Sequence, residues 1–178
     1  MGGTDWSRHV RWQALLRQGY LVRGGDGLIL RVRTSVPLPA EGDPADAVRP
    51  AAAWLTLKAV PPNGRESPLA RLEFEYSIPL LDAEELLALT PHQVRKRRHG
   101  LDLPGGDWVL DVFEGSNLPL VVAEVELADA EQSVSVPAWC IRELTGRHDL
   151  SNAALASRPL QEWSAAERAA LWQDELLV

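Results

Sequence analysis

A single cysteine, Cys140, stands in a chain of 178 residues. One thiol excludes an intramolecular disulfide framework and a cysteine-rich zinc site, and a buried, inert role is expected for it. Long apolar runs are missing as well. No stretch is long enough to span a bilayer and no signal peptide stands at Met1, so a cytoplasmic protein without membrane contact is expected. Positive charge is in the minority, with 18 Lys and Arg against 25 Asp and Glu and a net charge of -7. A protein that binds nucleic-acid backbone normally carries a net basic face, so that class is disfavoured, although local cationic clusters could still grip a small anion. Internal repeats are lacking too, and the length suits one domain over residues 1–178 with a sizeable core.

What the chain has is alternation. In Leu120-Val121-Val122-Ala123-Glu124-Val125-Glu126-Leu127 the side chains of a strand would divide into an apolar set, Val121, Ala123, Val125 and Leu127, and a second set with Glu124 and Glu126. The same division recurs with other charges. Leu28 to Arg33 sets Arg31 and Arg33 opposite Leu28, Leu30 and Val32; Leu55 to Lys58 sets Lys58 opposite two leucines. Arg71 to Tyr76 sets Arg71, Glu73 and Glu75 opposite Leu72, Phe74 and Tyr76. In Arg95-Lys96-Arg97-Arg98-His99, Lys96 and Arg98 share one face, assigned inward, while Arg95, Arg97 and His99 share the other, assigned to solvent. Trp108 to Phe113 is apolar on both faces yet holds Asp111 in its middle, an odd place for a surface charge.

Two architectures generate such a pattern. If the strands close into a barrel with the charged face inward, the interior is a polar cavity of alternating sign, suited to an oligophosphate and its metal. An antiparallel sheet with one wet face produces the same alternation, and periodicity does not separate the two.

Between the strands, Trp6, Val10 and Ala14 have helical spacing, which predicts a short helix or irregular arm over Asp5 to Gln18, with strand from Gln18 to Val22. Gly24 to Gly27, Pro61 to Gly64 and Leu103 to Asp107 read as turns. The Pro-, Ala- and Asp-rich stretch 34–53 reads as a loop outside the sheet, a passive insertion more than a lid. Asp82 to Leu89 reads as a helix capped by Asp82 and stopped by Thr90-Pro91, and a short helix or turn is expected over Ala128 to Gln132. Trp139 is expected to pack over one end of the barrel and His148 to lie at the surface. A C-terminal helix over 164–177 opens on the capping box Ser164-Ala165-Ala166-Glu167 and would pack through Trp172 and Leu176.

Taken in order, Arg17-Gln18-Gly19-Tyr20-Leu21, Arg31-Val32-Arg33, Leu55-Thr56-Leu57-Lys58, Glu73-Phe74-Glu75-Tyr76, Lys96-Arg97-Arg98, Leu110-Asp111-Val112-Phe113 and Ala123-Glu124-Val125-Glu126-Leu127 resemble the CYTH family, the triphosphate tunnel metalloenzymes. Pro137-Ala138-Trp139, Glu143-Leu144-Thr145 and Ser151-Asn152 resemble the tail of its short bacterial members, so the likeness spans about residues 17–155. The resemblance implies an α+β fold, mainly antiparallel, shaped as an eight-stranded tunnel with short flanking helices. It implies hydrolysis of inorganic triphosphate, with a class IV adenylyl cyclase, a thiamine or nucleoside triphosphate enzyme, or an inactive triphosphate-binding protein as alternatives.

The resemblance also assigns roles. Arg31, Arg33, Lys58, Arg71, Lys96 and Arg98 would hold phosphates, and Glu124, Glu126 and Asp111 would hold Mg²⁺ or Mn²⁺. Glu73 and Glu75 would be further ligands or would orient the cations, and Tyr20 with Lys96 would activate water. At its front the chain departs from the family, whose first strand reads Glu-x-Glu-x-Lys where this sequence has Met1-Gly2-Gly3-Thr4-Asp5-Trp6. A late start is expected more than a natural loss. Without that strand, turnover would be weak or absent and open strand edges would invite a second chain, hence a homodimer.

Overall fold

The computed structural model describes residues 4–25, 27–39, 50–61, 72–127 and 132–172. Among them lie strands β1 (Val10–Arg23), β2 (Ile29–Leu38), β3 (Ala52–Ala59), β4 (Leu72–Ser77), β5 (Gln93–Leu101), β6 (Asp107–Phe113) and β7 (Val121–Glu126). Helices α1 (Leu80–Ala88), α2 (Asn152–Ser157) and α3 (Ala165–Trp172) complete the regular structure, with short 3₁₀ turns between elements. The sheet order is β4-β3-β2-β1-β5-β6-β7. Pairings β2–β3, β3–β4, β5–β6 and β6–β7 are antiparallel, so the expected mainly antiparallel α+β class is what forms. No helix among the described residues is long and apolar enough to cross a membrane.

The chain divides into two compact units, Ala14–Arg95 and Met1–Gln13 with Lys96–Val178. In the first, the register Arg31↔Thr56, Thr56↔Glu75 and Lys58↔Glu73 brings the charged positions of β2, β3 and β4 to one face. The opposite face carries Val32 and Ala53, which pack with Ala83 and Leu87 of α1. Burying that apolar set drives the helix onto the strands and leaves the charged face uncovered by it. Gly19 permits the close approach: a Cβ there would come within 2.9 Å of Leu87 Cδ2.

In the second unit the register Arg98↔Asp111 and Asp111↔Val122 sets Lys96, Arg98, Asp111, Glu124 and Glu126 on one face. Leu101, Trp108 and Leu110 form the core on the other, joined by Ala123, Val125 and Trp139. At the chain's end the capping box is made, with Ser164 N donating to Glu167 at 2.7 Å and Glu167 N to Ser164 at 3.2 Å.

Four sequence expectations are corrected. Residues 10–18 are strand, following a 3₁₀ turn at Thr4–His9. Trp6, Val10 and Ala14 are four apart, a spacing that suits helical periodicity and also period two, and neighbouring strands decide for the latter by supplying hydrogen-bond partners. Helix α1 starts at Leu80 after Pro79 and receives no side-chain cap, so Asp82 lies in its first turn and does not cap it. Strand β2 continues through Pro37 to Leu38, with Ser35 opposite Ala52, where a loop was expected from residue 34. His99, assigned to solvent, is buried against the ring of Trp6 at 4.9 Å between centroids. The rest of the 34–53 loop at 40–49, the reversal from 62, residues 128–131 and Leu176 lie outside the described residues.

Candidate active site

Strands β2 to β4 build one cluster. Arg31 is buried, and its Nη2 donates to Thr56 Oγ1 at 3.0 Å and to Glu75 Oε2 at 3.3 Å. Thr56, fully buried, donates in turn to Glu75 Oε2 at 2.9 Å. The other Glu75 oxygen accepts from Arg33 Nη2 at 3.0 Å, and the Arg33 guanidinium lies 4.7 Å from the Trp54 ring centroid. Lys58 Nζ donates to Glu73 at 2.8 Å. Burial pushes the Glu73 carboxyl up, but the Lys58 hydrogen bond and the charges of Lys58, Arg31 and Arg33 outweigh it and hold the group below its ordinary range. Three cations meet two carboxylates here, which leaves a net positive patch. Arg31 Nε is buried and has no hydrogen-bond partner among the described residues.

A second cluster sits on β5, β6 and β7. Asp111, with no exposed surface, accepts from Arg98 Nε at 2.8 Å through Oδ1 and from Arg98 Nη2 at 2.7 Å through Oδ2. Oδ2 also accepts from Lys96 Nζ at 2.5 Å. Lys96 donates further to Asn152 Oδ1 at 3.0 Å and lies 5.3 Å from the Phe113 ring centroid. Burial and the charge of Arg98 hold the Lys96 ammonium below the ordinary lysine range, against the pull of Asp111 and Glu124. Burial raises the Asp111 carboxyl, yet Arg98 and Lys96 bring it below the usual carboxylate value. Glu124 touches Arg98 Nη2 at 3.3 Å from a half-exposed position.

Of the residues singled out in the sequence, the first cluster gathers Arg31, Arg33, Lys58, Glu73 and Glu75, and the second gathers Lys96, Arg98, Asp111 and Glu124. Tyr20 is buried in β1, its hydroxyl 3.5 Å from Gln18 Oε1. Arg71 lies outside the described residues. Sequence reasoning missed Thr56 and Asn152. Thr56 was within reach, because it stands two positions before Lys58 and shares its face. Asn152 stood in the Ser151-Asn152 motif of the tail but received no role there, since its contact with Lys96 spans 56 positions and joins a helix to a strand.

The carboxylates differ in their fitness for a hard divalent ion. No group of three or more potential ligands gathers among the described residues. Asp111, Glu73 and Glu75 are engaged by cations. Glu126 is exposed and makes no ion pair among the described residues, and Glu124, two positions away on the same face, makes one long contact. Magnesium is commonly held by one or two carboxylates, substrate phosphates and water, so the Glu124 and Glu126 pair fits by donor type and number.

No protein-family model matches the chain. An inorganic triphosphatase of Acetivibrio thermocellus is 34% identical over 112 residues, covering 62% of this chain and 69% of that protein. Two crystal structures of NE1496, one described as a hypothetical protein and one as an inorganic triphosphatase, are 30% and 31% identical to the chain. Both superpose with a TM-score of 0.53 over 81% of this chain and 85% of theirs.

Proposed function

The chain belongs to the CYTH family of triphosphate tunnel metalloenzymes, and on that footing we propose that it hydrolyses inorganic triphosphate with Mg²⁺ or Mn²⁺. One observation carries the reading beyond kinship: among the described residues, the Nε–H of Arg31 is buried without an acceptor inside a cluster of net positive charge. An unmet buried donor is costly, and a phosphate oxygen is the acceptor that such a site suits. Arg33, Lys58 and Arg98 would add further donors. Their carboxylate partners hold them in place beforehand, so little reorganisation accompanies the charge that develops on the transferred phosphoryl group.

Glu124 and Glu126 would hold the divalent ion, which supplies Lewis-acid neutralisation of phosphate charge when bound. Lys96 enters as a fixed charge, its side chain lacking exposed surface. Tyr20 is our candidate to take the proton from the attacking water. Oxygen of that water bonds to the terminal phosphorus, the bond to the bridging oxygen breaks, and orthophosphate and pyrophosphate leave. A tyrosine hydroxyl ordinarily ionises near pH ~10, so the rate should rise toward alkaline pH.

Orthophosphate release from tripolyphosphate in the presence of Mg²⁺ or Mn²⁺ tests the proposal. Equal amounts of orthophosphate and pyrophosphate are expected. Pyrophosphate released from ATP without orthophosphate would mark a cyclase instead, and silence toward tripolyphosphate would overturn the reading.

A further inference from the structure

Lys96 is a fully buried ammonium with two oxygen acceptors of different kinds: Asp111 Oδ2, which is charged and shared with Arg98, and Asn152 Oδ1, which is neutral. Asp111 takes both cations, Lys96 and Arg98, and Glu124 also pairs with Arg98, so the charges of the four groups balance. An ammonium taken out of water needs acceptors for its N–H groups, and a second carboxylate would be the stronger one. It would also turn the cluster net negative. An amide oxygen satisfies the donor and leaves the charge balance in place.

The fold presents that amide deliberately in one position. Ser151 caps α2, its Oγ accepting from Ala154 N at 3.2 Å, so Asn152 is the first residue of the helix and its side chain reaches Lys96 from there. Asn117, another amide in contact with α2, shows the alternative use: its side chain bonds Leu155 O and Leu160 N, two backbone groups. We propose that Asn152 is a positioning residue that holds the Lys96 ammonium with a neutral acceptor and so keeps the cluster from turning net negative toward the phosphates of the substrate. The inference rests on the triphosphatase reading and adds the residue that meets Lys96 without bringing a further negative charge.

The substitution Asn152→Asp separates this role from a merely structural one. It is isosteric, keeps an oxygen in reach of Lys96, and puts an acidic residue in the first turn of a helix, where it is tolerated. If Asn152 only fills a hydrogen bond, the variant should match or exceed the wild type in every respect. If the neutral acceptor matters, tripolyphosphate affinity measured by titration calorimetry should fall by at least about tenfold while the melting temperature holds or rises.

Asn152→Ala should behave differently, melting lower because a buried N–H loses its acceptor and losing less affinity than Asn152→Asp, since it adds no negative charge. Wild-type affinity in Asn152→Asp, or a wild-type melt in Asn152→Ala, would overturn the inference alone. A wild-type protein that neither binds nor hydrolyses tripolyphosphate would sink the triphosphatase reading and this inference with it.

Discussion

Arg98 and Asp111 face each other across β5 and β6 in a two-pronged pair, Nε to Oδ1 at 2.8 Å and Nη2 to Oδ2 at 2.7 Å. The planar guanidinium matches both carboxylate oxygens at once, which fixes orientation as well as distance. Lys96 then takes its place on an oxygen already held. Asp111 thus anchors two cations from a position with no solvent exposure.

Removing that anchor should be severe. Asp111→Asn leaves Lys96 buried without its charged partner, and breaking a buried pair from one side costs about 3–5 kcal/mol. Urea unfolding measures it. The wild-type contribution should be full above the unfolded carboxylate value of about 3.9 and should fade as pH drops through the lower folded value, because the folded state holds Asp111 ionised. A loss under about 1 kcal/mol in the variant would show that the trio is not a mutually dependent unit.

The metal assignment separates by exposure. Glu126 has no ion pair among the described residues, so Glu126→Gln should leave the metal-free melting temperature unchanged. The same variant should raise the Mn²⁺ concentration for half-maximal orthophosphate release by at least about tenfold. An unchanged metal requirement in both Glu126→Gln and Glu124→Gln would remove the pair from the metal site.

His99 supplies a pH signature on the apolar face. Its Nδ1 is buried without a partner among the described residues, and burial with the Arg97 charge holds the ring below its ordinary value, against a smaller opposing pull from Asp111. The unfolded chain therefore takes up a proton first. Stability should be full above about pH 6.5, fall below it, and level off once the folded ring is protonated too. Unfolding midpoints for His99→Phe should lack that decline between neutral and mildly acidic pH, and identical slopes in both proteins would discount the histidine.

Gly100 gives Trp12 its place. A Cβ at residue 100 would stand 2.1 Å from the indole nitrogen, so Gly100→Ala must push the ring away. Overpacking of this kind typically costs about 1–3 kcal/mol. Trp12→Ala should abolish most of the added penalty of Gly100→Ala in thermal melts, because the obstacle is then gone. Additive losses in the double variant would place the strain elsewhere.

Much of the candidate site was written in local pattern. Side chains alternate along a strand by the geometry of the pleat alone, so Arg31 with Arg33, Lys96 with Arg98 and Glu124 with Glu126 could be paired on faces before any strand was placed beside another. The apolar partners Val32, Leu110 and Val125 follow from the same rule, and they are where the cores form. Local pattern failed where two periods coincide, as at Trp6, Val10 and Ala14, and where a histidine in a basic run faced inward.

By itself, then, the sequence determined which residues share a face and, through the order of its motifs, the family; these depend on the chain's own geometry and chemistry. Which groups meet was decided only by tertiary structure. Cross-strand register placed Thr56 between Arg31 and Glu75, and Asp111 between Lys96 and Arg98. The return of α2 brought Asn152 to a lysine 56 positions earlier. Contacts of that kind come from strand pairing and from burial of faces far apart in the chain, and no local spacing encodes them.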